Sequence, residues 1–432
     1  MTVASAPGGE SSSTPAKEEW EPSPFRSARF NVFAAGNTAN NIGEAVYATA
    51  LPLLMYERTG SLAVMALLAG AVPAAMLLAP AFGVVADRWG PRVLVVPGLL
   101  LQAAAALAMT LLLRAGHDGS ATLFLCALLL AIGGSAYRAG WMTGIPAMFP
   151  DRKVRARGTL NSLFFATTLI GPLIVAATLP WLGYIGLLWF NLLTLFAPIV
   201  VWAFGIRPPP PAAPASAEPG GGARSGRLVE GWRAVRGDHR ILAMLVAQLA
   251  LGVACGTGLN ALIVYDLGDT WDLSSRQAAG ALTAMNVAML AGNLLVAQRK
   301  RFHPGRSLGL GMVVRTLSLL LLAVPFWPLF VAALVIGALG QGAVLSTAVM
   351  MRVKYLPAEV LGRATGLLWL LTGAASLLSP VVTPLLSEAL GTRQTFLALG
   401  AVACAGLWYL HRTRSAWTAG DSPAPSRPGA EK

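Results

Sequence analysis

The sequence predicts an all-α membrane protein: twelve membrane-spanning helices in two bundles of six, joined by one polar linker. Three observations predict it. Of 432 residues, 55% are hydrophobic and only 12% charged, whereas a soluble domain carries about 25% charged residues. The apolar residues fall in runs long enough to cross a bilayer as helices. The basic residues sit on alternate connectors. With both chain ends on one side, that side holds 26 Lys and Arg, and the other holds four: Arg58, Arg114, Arg276 and Arg393. Such asymmetry orients a membrane protein with its basic side toward the cytoplasm.

The elements follow in order. Residues 1–29 are polar, with Glu10, Glu18, Glu19 and Glu21, and hold no apolar signal-peptide core. A disordered cytoplasmic tail is expected, with the first span directing insertion. The first bundle, 30–206, takes windows 30–54, 61–86, 93–113, 121–146, 158–180 and 183–206. The second, 241–411, takes 241–265, 275–298, 308–324, 328–350, 362–386 and 394–411. Pro73, Pro80, Pro172, Pro380 and Pro384 fall inside windows, where neighbouring helices satisfy the freed backbone groups. Residues 207–240 form the cytoplasmic linker. It opens Arg207-Pro-Pro-Pro-Pro and reads as flexible, then places Leu228, Trp232 and Val235 on one face of a short amphipathic helix at the inner leaflet. Residues 412–432 form a second disordered cytoplasmic tail.

The net charge of +13 follows from the connectors and needs no nucleic-acid partner. Cys126, Cys255 and Cys404 each lie in an apolar run, and the four histidines are far apart, so neither a disulfide framework nor a metal site is indicated. The chain holds no P-loop, no His-Glu-x-x-His and no Gly-x-Ser-x-Gly. An enzyme reading has no residues to rest on, no cofactor is implied, and an ion gradient is the energy source left for a transporter.

Two connectors carry motifs. Between the second and third windows stands Gly83-Val-Val-Ala-Asp87-Arg88-Trp89-Gly90-Pro91-Arg92, which contains a Gly-Pro turn signal. After the fourth window, Pro146-Ala-Met-Phe-Pro150-Asp151 leads to Arg157-Gly-Thr-Leu. Lys354-Tyr-Leu-Pro357 leads likewise to Arg363-Ala-Thr-Gly-Leu after the tenth. Repeats across a central linker are a feature of transporter folds with a midplane binding site.

The spacing Gly-x-x-x-Asp-Arg-x-Gly-x-Arg resembles the signature loop between helices 2 and 3 of the major facilitator superfamily of secondary transporters, with Pro91 where that family usually has Arg or Lys. The resemblance covers about residues 30–411. The loops after the fourth and tenth windows, with the segment around Trp232, resemble its drug, macrolide and siderophore exporter branch. The resemblance implies the major facilitator fold and a central cavity lined by helices 1 and 4. It implies that Gly83 lets helix 2 pack closely on helix 11, and that Asp87 lies against the start of helix 11. Arg88, Gly90, Arg92 and Asp151, the last as a partner for Arg92, complete the network that switches conformation. The second-half counterpart keeps Arg299, Lys300 and Arg301 but lacks the aspartate. Gly171-Pro172 resembles the exporter branch's antiporter motif, although Val175, Ala176 and Ala177 stand where paired glycines follow in that family.

One carboxylate, Glu44, lies well inside a window. Charge at that depth costs about 2.5–3.5 kcal/mol on insertion scales and points to function. Asn37, Asn40, Asn41, Glu44 and Tyr47 recur at intervals of three and four, a polar stripe along one helix face. Burial favours the protonated form of a carboxylate and a nearby cation the ionised form, so such a group suits proton coupling; a structural role, bonded to neighbouring polar groups, is the alternative. Arg138 in the fourth window is the natural partner. Counted along antiparallel helices, the two stand about 10 Å apart axially, which calls for water or Tyr137 between them. Arg138 also fits an anion-binding or structural role. Trp141, Gln248, Asn260, Gln341 and Trp369 complete the candidate substrate-cavity residues. Arg315, in the ninth window, is expected to snorkel to the cytoplasmic surface.

The functional expectation is export of an amphipathic small molecule (an antibiotic, secondary metabolite or siderophore) by proton antiport, by a monomer in the cell membrane. Proton-coupled uptake and a transport-inactive receptor are the alternatives. Arginine outnumbers lysine 27 to 5, a composition associated with GC-rich bacterial genomes.

Overall fold

The computed structural model describes residues 22–117, 119–207, 224–298, 303–356 and 358–413, and the side chains of Asp87, Leu228 and Arg363 are not among those described. Of the expected first tail, residues 22–29 are described, with a 3-10 turn at Pro24–Arg26 and α1 starting at Ala28. Residues 1–21 and 414–432, the Pro-rich part of the linker and Arg299, Lys300 and Arg301 lie outside the described residues.

All regular structure among the described residues is helical, as the sequence predicts. The first helix, α1 (Ala28–Thr59), is followed by three short ones, α2 (Leu62–Ala69), α3 (Ala71–Met76) and α4 (Ala79–Trp89). Together these three form the second window. The breaks fall just before Pro73 and Pro80, where proline's missing N–H and its clash with the preceding turn interrupt a helix. Next come α5 (Arg92–Arg114), α6 (Ser120–Met148), α7 (Lys153–Thr194) and α8 (Phe196–Ala203). Inside α7 the chain reverses at Gly183, whose φ of 61° and ψ of 176° suit glycine. This reversal is the expected boundary between the fifth and sixth windows.

The linker ends in α9 (Arg224–Gly237), which packs against α10 (His239–Cys255) and α15 (Ala358–Leu390). Its Val235 is fully buried while Trp232 stays exposed, so one side of this helix rests on the protein. α10 continues as α11 (Thr257–Asp269) after an extended residue at Gly256. There a β-carbon would lie 2.7 Å from Cβ of Ser379: the break is pressed against α15. α12 (Ser275–Ala297), α13 (Pro304–Leu322), α14 (Trp327–Tyr355) and α16 (Thr392–Arg412) complete the chain.

Nine helical segments among the described residues are long and apolar enough to cross a membrane. One of them, 155–203, contains the Gly183 reversal and so accounts for two windows. α1 and α16 fall outside the nine, and in α1 the polar stripe is what lowers the hydropathy.

Helices α1–α8 pack mainly among themselves, as do α10–α16. Backbones approach closely where glycines face each other. A β-carbon at Gly133 would lie 2.7 Å from O of Gly98, and one at Gly98 would lie 2.8 Å from O of Gly133; this brings α5 against α6. Small residues at helix contacts let membrane helices pack by van der Waals contact and backbone proximity.

The two groups are joined by polar and aromatic contacts at the face where α1 ends. The Glu57 carboxylate accepts hydrogen bonds from Tyr184 Oη (2.8 Å) and from Ser275 Oγ of the second group (2.5 Å). The rings of Tyr56 and Tyr265 meet edge to face at 5.8 Å, and Gly268 lies against the Tyr56 ring. At the other face, which we call the terminal face because α1 starts and α16 ends there, β-carbons at Gly83, Gly158 and Gly366 would meet open space. A groove of about 550 Å³ also opens there beside α7, lined by Phe25, Arg155, Ser162 and their neighbours. Contacts thus join the two groups at the face where α1 ends, while these glycines and this groove mark unfilled space at the terminal face.

Candidate transport site

The polar stripe of α1 faces α5 and α6. Arg138 Nη2 donates to Glu44 Oε2 at 3.1 Å, with the two side chains 40% and 21% exposed. The expected axial gap is closed without water or Tyr137. A helical side chain leans toward the start of its own helix. In the antiparallel α1 and α6 that tilt carries the carboxylate and the guanidinium toward each other. Glu44 Oε1 accepts two further bonds, from Gln102 Nε2 of α5 at 2.7 Å and from Asn40 Nδ2 at 3.0 Å. The second is the i, i+4 contact that the stripe predicts. The Arg138 guanidinium also lies 4.3 Å from the centre of the Phe164 ring on α7. The Gly98–Gly133 contact holds Gln102 within reach of the carboxylate, and Gly134 leaves room beside it.

The other candidates of the first group sit in its packing. Asn37, Asn40, Asn41, Tyr137 and Trp141 are all buried. Tyr137 Oη donates to Asn37 Oδ1 at 3.3 Å, and Tyr47 Oη to Met109 Sδ at 3.3 Å. Asn37, Tyr137 and Trp141 surround a void of about 20 Å³, space for a single water. Gly171 abuts α1 beside Glu44: a β-carbon there would lie 2.5 Å from Cβ of Ala45. Pro172 follows within α7. Arg88 and Asp151 are exposed at the terminal face, Gly90 has a φ of 82° at the end of α4, and Arg92 opens α5.

In the second group Gln248 and Trp369 converge on a residue that the charge count assigned to a cytoplasmic connector. Arg352, near the end of α14, turns inward. Its side chain is 5% exposed, its Nη2 donates to Gln248 Oε1 at 3.0 Å, and its guanidinium lies 5.3 Å from the Trp369 ring centre. Trp369 itself is half exposed, Asn260 is exposed, and Gln341 is half-buried with its Oε1 unpartnered. Arg315 departs from expectation. It does not snorkel; it is buried, and its Nε donates to Cys255 Sγ at 3.2 Å. Gly337 of α14 provides the room, since a β-carbon there would stand 2.8 Å from Arg315 Nη1.

Sequence reasoning also missed Gln102. Its signal was available: apart from Thr110, it is the one polar side chain in the third window.

Two groups of membrane-length helices, the first holding an ion pair and the second a buried arginine, have the build of a membrane transporter. The Major Facilitator Superfamily model matches residues 33–296 and 249–428, and the chain belongs to that superfamily. No curated protein sequence matches significantly. Among solved structures, a bacterial homologue of the human lysosomal transporter Spinster, inward-facing and unoccupied, matches with a TM-score of 0.72 at 14% identity, over 94% of this chain and all of that one. The D323A mutant of the nucleoside transporter NupG gives 0.68 at 11%, over 89% and 99%. A bacterial homologue of the iron transporter ferroportin, inward-facing, gives 0.68 at 16%, over 92% and 100%. At these identities the likeness shows the fold.

Proposed function

We propose that this transporter exports an amphipathic small molecule in exchange for protons, working as a twelve-span monomer in the bacterial cell membrane. The terminal face, with its excess of basic connectors, is the cytoplasmic one. The chain then divides into bundles 30–206 and 241–411, and the conformation described is open to the cytoplasm. The observation that carries the reading is Glu44: one carboxylate inside the first bundle, held by Arg138, Gln102 and Asn40 and still partly exposed. Proton binding there cancels its attraction to Arg138, and return of the cation displaces the proton. Gly171, packed on α1 next to this carboxylate, supports export through its resemblance to the antiporter motif.

The test is proton movement in proteoliposomes of known orientation, wild type beside Glu44→Gln, across a panel of lipophilic antibiotics and siderophores. Substrate-driven proton movement opposite to substrate flux, lost in Glu44→Gln, is expected. Movement of both in the same direction would mean uptake by symport. Flux unchanged by Glu44→Gln would remove the coupling residue.

A further inference from the structure

The two halves each stack a guanidinium on an aromatic ring, Arg138 on Phe164 and Arg352 on Trp369, but among the described residues only the first has a carboxylate partner. Arg352 makes no ion pair among the described residues. Its one hydrogen bond is to a neutral amide, and its Nε is buried without a partner. Among the described acids of the second half none reaches it, and the side chains of Glu230 and Glu359 are not among those described. Asp266 is occupied by Thr270 and Trp271 at the far face, and Asp238 caps the start of α10 through the N–H groups of Arg240 and Ile241. A desolvated cation costs several kcal/mol unless an anion compensates it. In a membrane span such a group marks a ligand path.

We infer that Arg352 recognises an anionic group on the transported molecule, and that the substrate class is an amphipathic organic anion: a carboxylate, sulfonate or phosphate attached to a flat apolar body. The inference rests on the transport reading above and deepens it. A guanidinium matches the two oxygens of such an anion with two parallel N–H bonds. The half-exposed face of Trp369 supplies the adjoining flat surface. At the end of α14, Arg240 and Lys354 flank the Tyr355 ring, three residues beyond Arg352. These two cations raise the local concentration of anions. Gln248 holds the guanidinium in place while the site is empty.

The test uses the purified full chain in lipid nanodiscs and reads thermal stability against matched probes: 2-naphthoate with 2-naphthamide, and 1-naphthyl phosphate with 1-naphthol. Wild type is compared with Arg352→Met and Arg352→Lys. The anions are expected to stabilise wild type and their neutral counterparts not. Arg352→Met should weaken that effect by about tenfold or more, the worth of a charge-assisted hydrogen bond, and Arg352→Lys should restore part of it. The empty Arg352→Met protein should melt higher than wild type, because an uncompensated charge has gone; a merely structural arginine would give the reverse. Because the readout is binding and not proton movement, a failure of proton coupling and a failure of anion recognition are told apart. Equal stabilisation by neutral probes, anion binding undiminished in Arg352→Met, or no stabilisation by either anion would overturn the assignment.

Discussion

Glu44 and Arg138 meet at 3.1 Å because each side chain leans toward the start of its own helix, and their helices run in opposite directions. The pair is therefore a product of topology as much as of charge. It ties the polar stripe of α1 to α6 at a place that stays partly exposed.

That accessibility sets the expected size of the interaction. With both groups partly exposed, a double-mutant cycle on Glu44→Gln and Arg138→Gln should give a coupling of about 1 kcal/mol in thermal stability. The effect on transport should be far larger, because the carboxylate is the proposed proton carrier. Either single variant should fold, and substrate-driven proton movement should be lost in Glu44→Gln. A coupling of several kcal/mol would mean that the pair is a structural lock instead.

The closed face rests on few polar bonds. Glu57 accepts from Tyr184 within its own group and from Ser275 across the interface. Removing that acceptor with Glu57→Ala should favour the state open at this face. Because hydrogen bonds to a charged group contribute about 1.5–3 kcal/mol before solvent screening, a shift of several-fold in population is the expected scale. Spin-label distances between positions 59 and 277, measured with and without the substitution, would read it. An unchanged distance distribution would show that the Tyr56–Tyr265 contact is enough to hold the face shut.

Gly171 tests packing beside the carboxylate. Any side chain there must displace Ala45, whose Cβ stands 2.5 Å from the position a new β-carbon would take. Gly171→Val should push α1 away from α7 and cost about 1–3 kcal/mol, as overpacking does, read as a lower melting temperature in detergent. Gly158→Val, on the same helix but facing open space, is the control and should melt with the wild type.

Much of this was legible in the sequence because membrane helices are long and their polar residues few. The stripe from Asn37 to Tyr47 follows from spacing alone, and Pro73 and Pro80 mark where the second window breaks. Arg352 was hidden because a base near a helix end reads as interfacial, and only the tilt of its side chain sends it inward. Arg315 misled for a related reason. The space it fills is opened by Gly337 on another helix, which no count along one helix reveals. Gln102 was missed because its partner, Glu44, is 58 residues away in sequence.

The strongest test of the conformational cycle is at Gly83. Resemblance to the superfamily's signature loop implies that this glycine packs closely on helix 11, yet in this structure a β-carbon there meets nothing within 4 Å. Both statements hold if the contact forms only when the terminal face closes. Gly83→Leu should then leave the present state intact, since the added atoms point into open space and cost at most about 1 kcal/mol of helix propensity in either direction. It should block closure, because a leucine needs room that a close helix contact does not leave. The expected result is a normal melting temperature, loss of transport, and a cysteine at position 366 that stays reactive to a water-soluble maleimide under conditions where it becomes protected in the otherwise wild-type protein. Asp87→Asn should give a milder version, folded but slower, because charge helps to hold the closed state while close packing decides whether it can form. Full transport by Gly83→Leu would show that α4 and α15 never come together at this residue, and the role assigned to the motif would go with it.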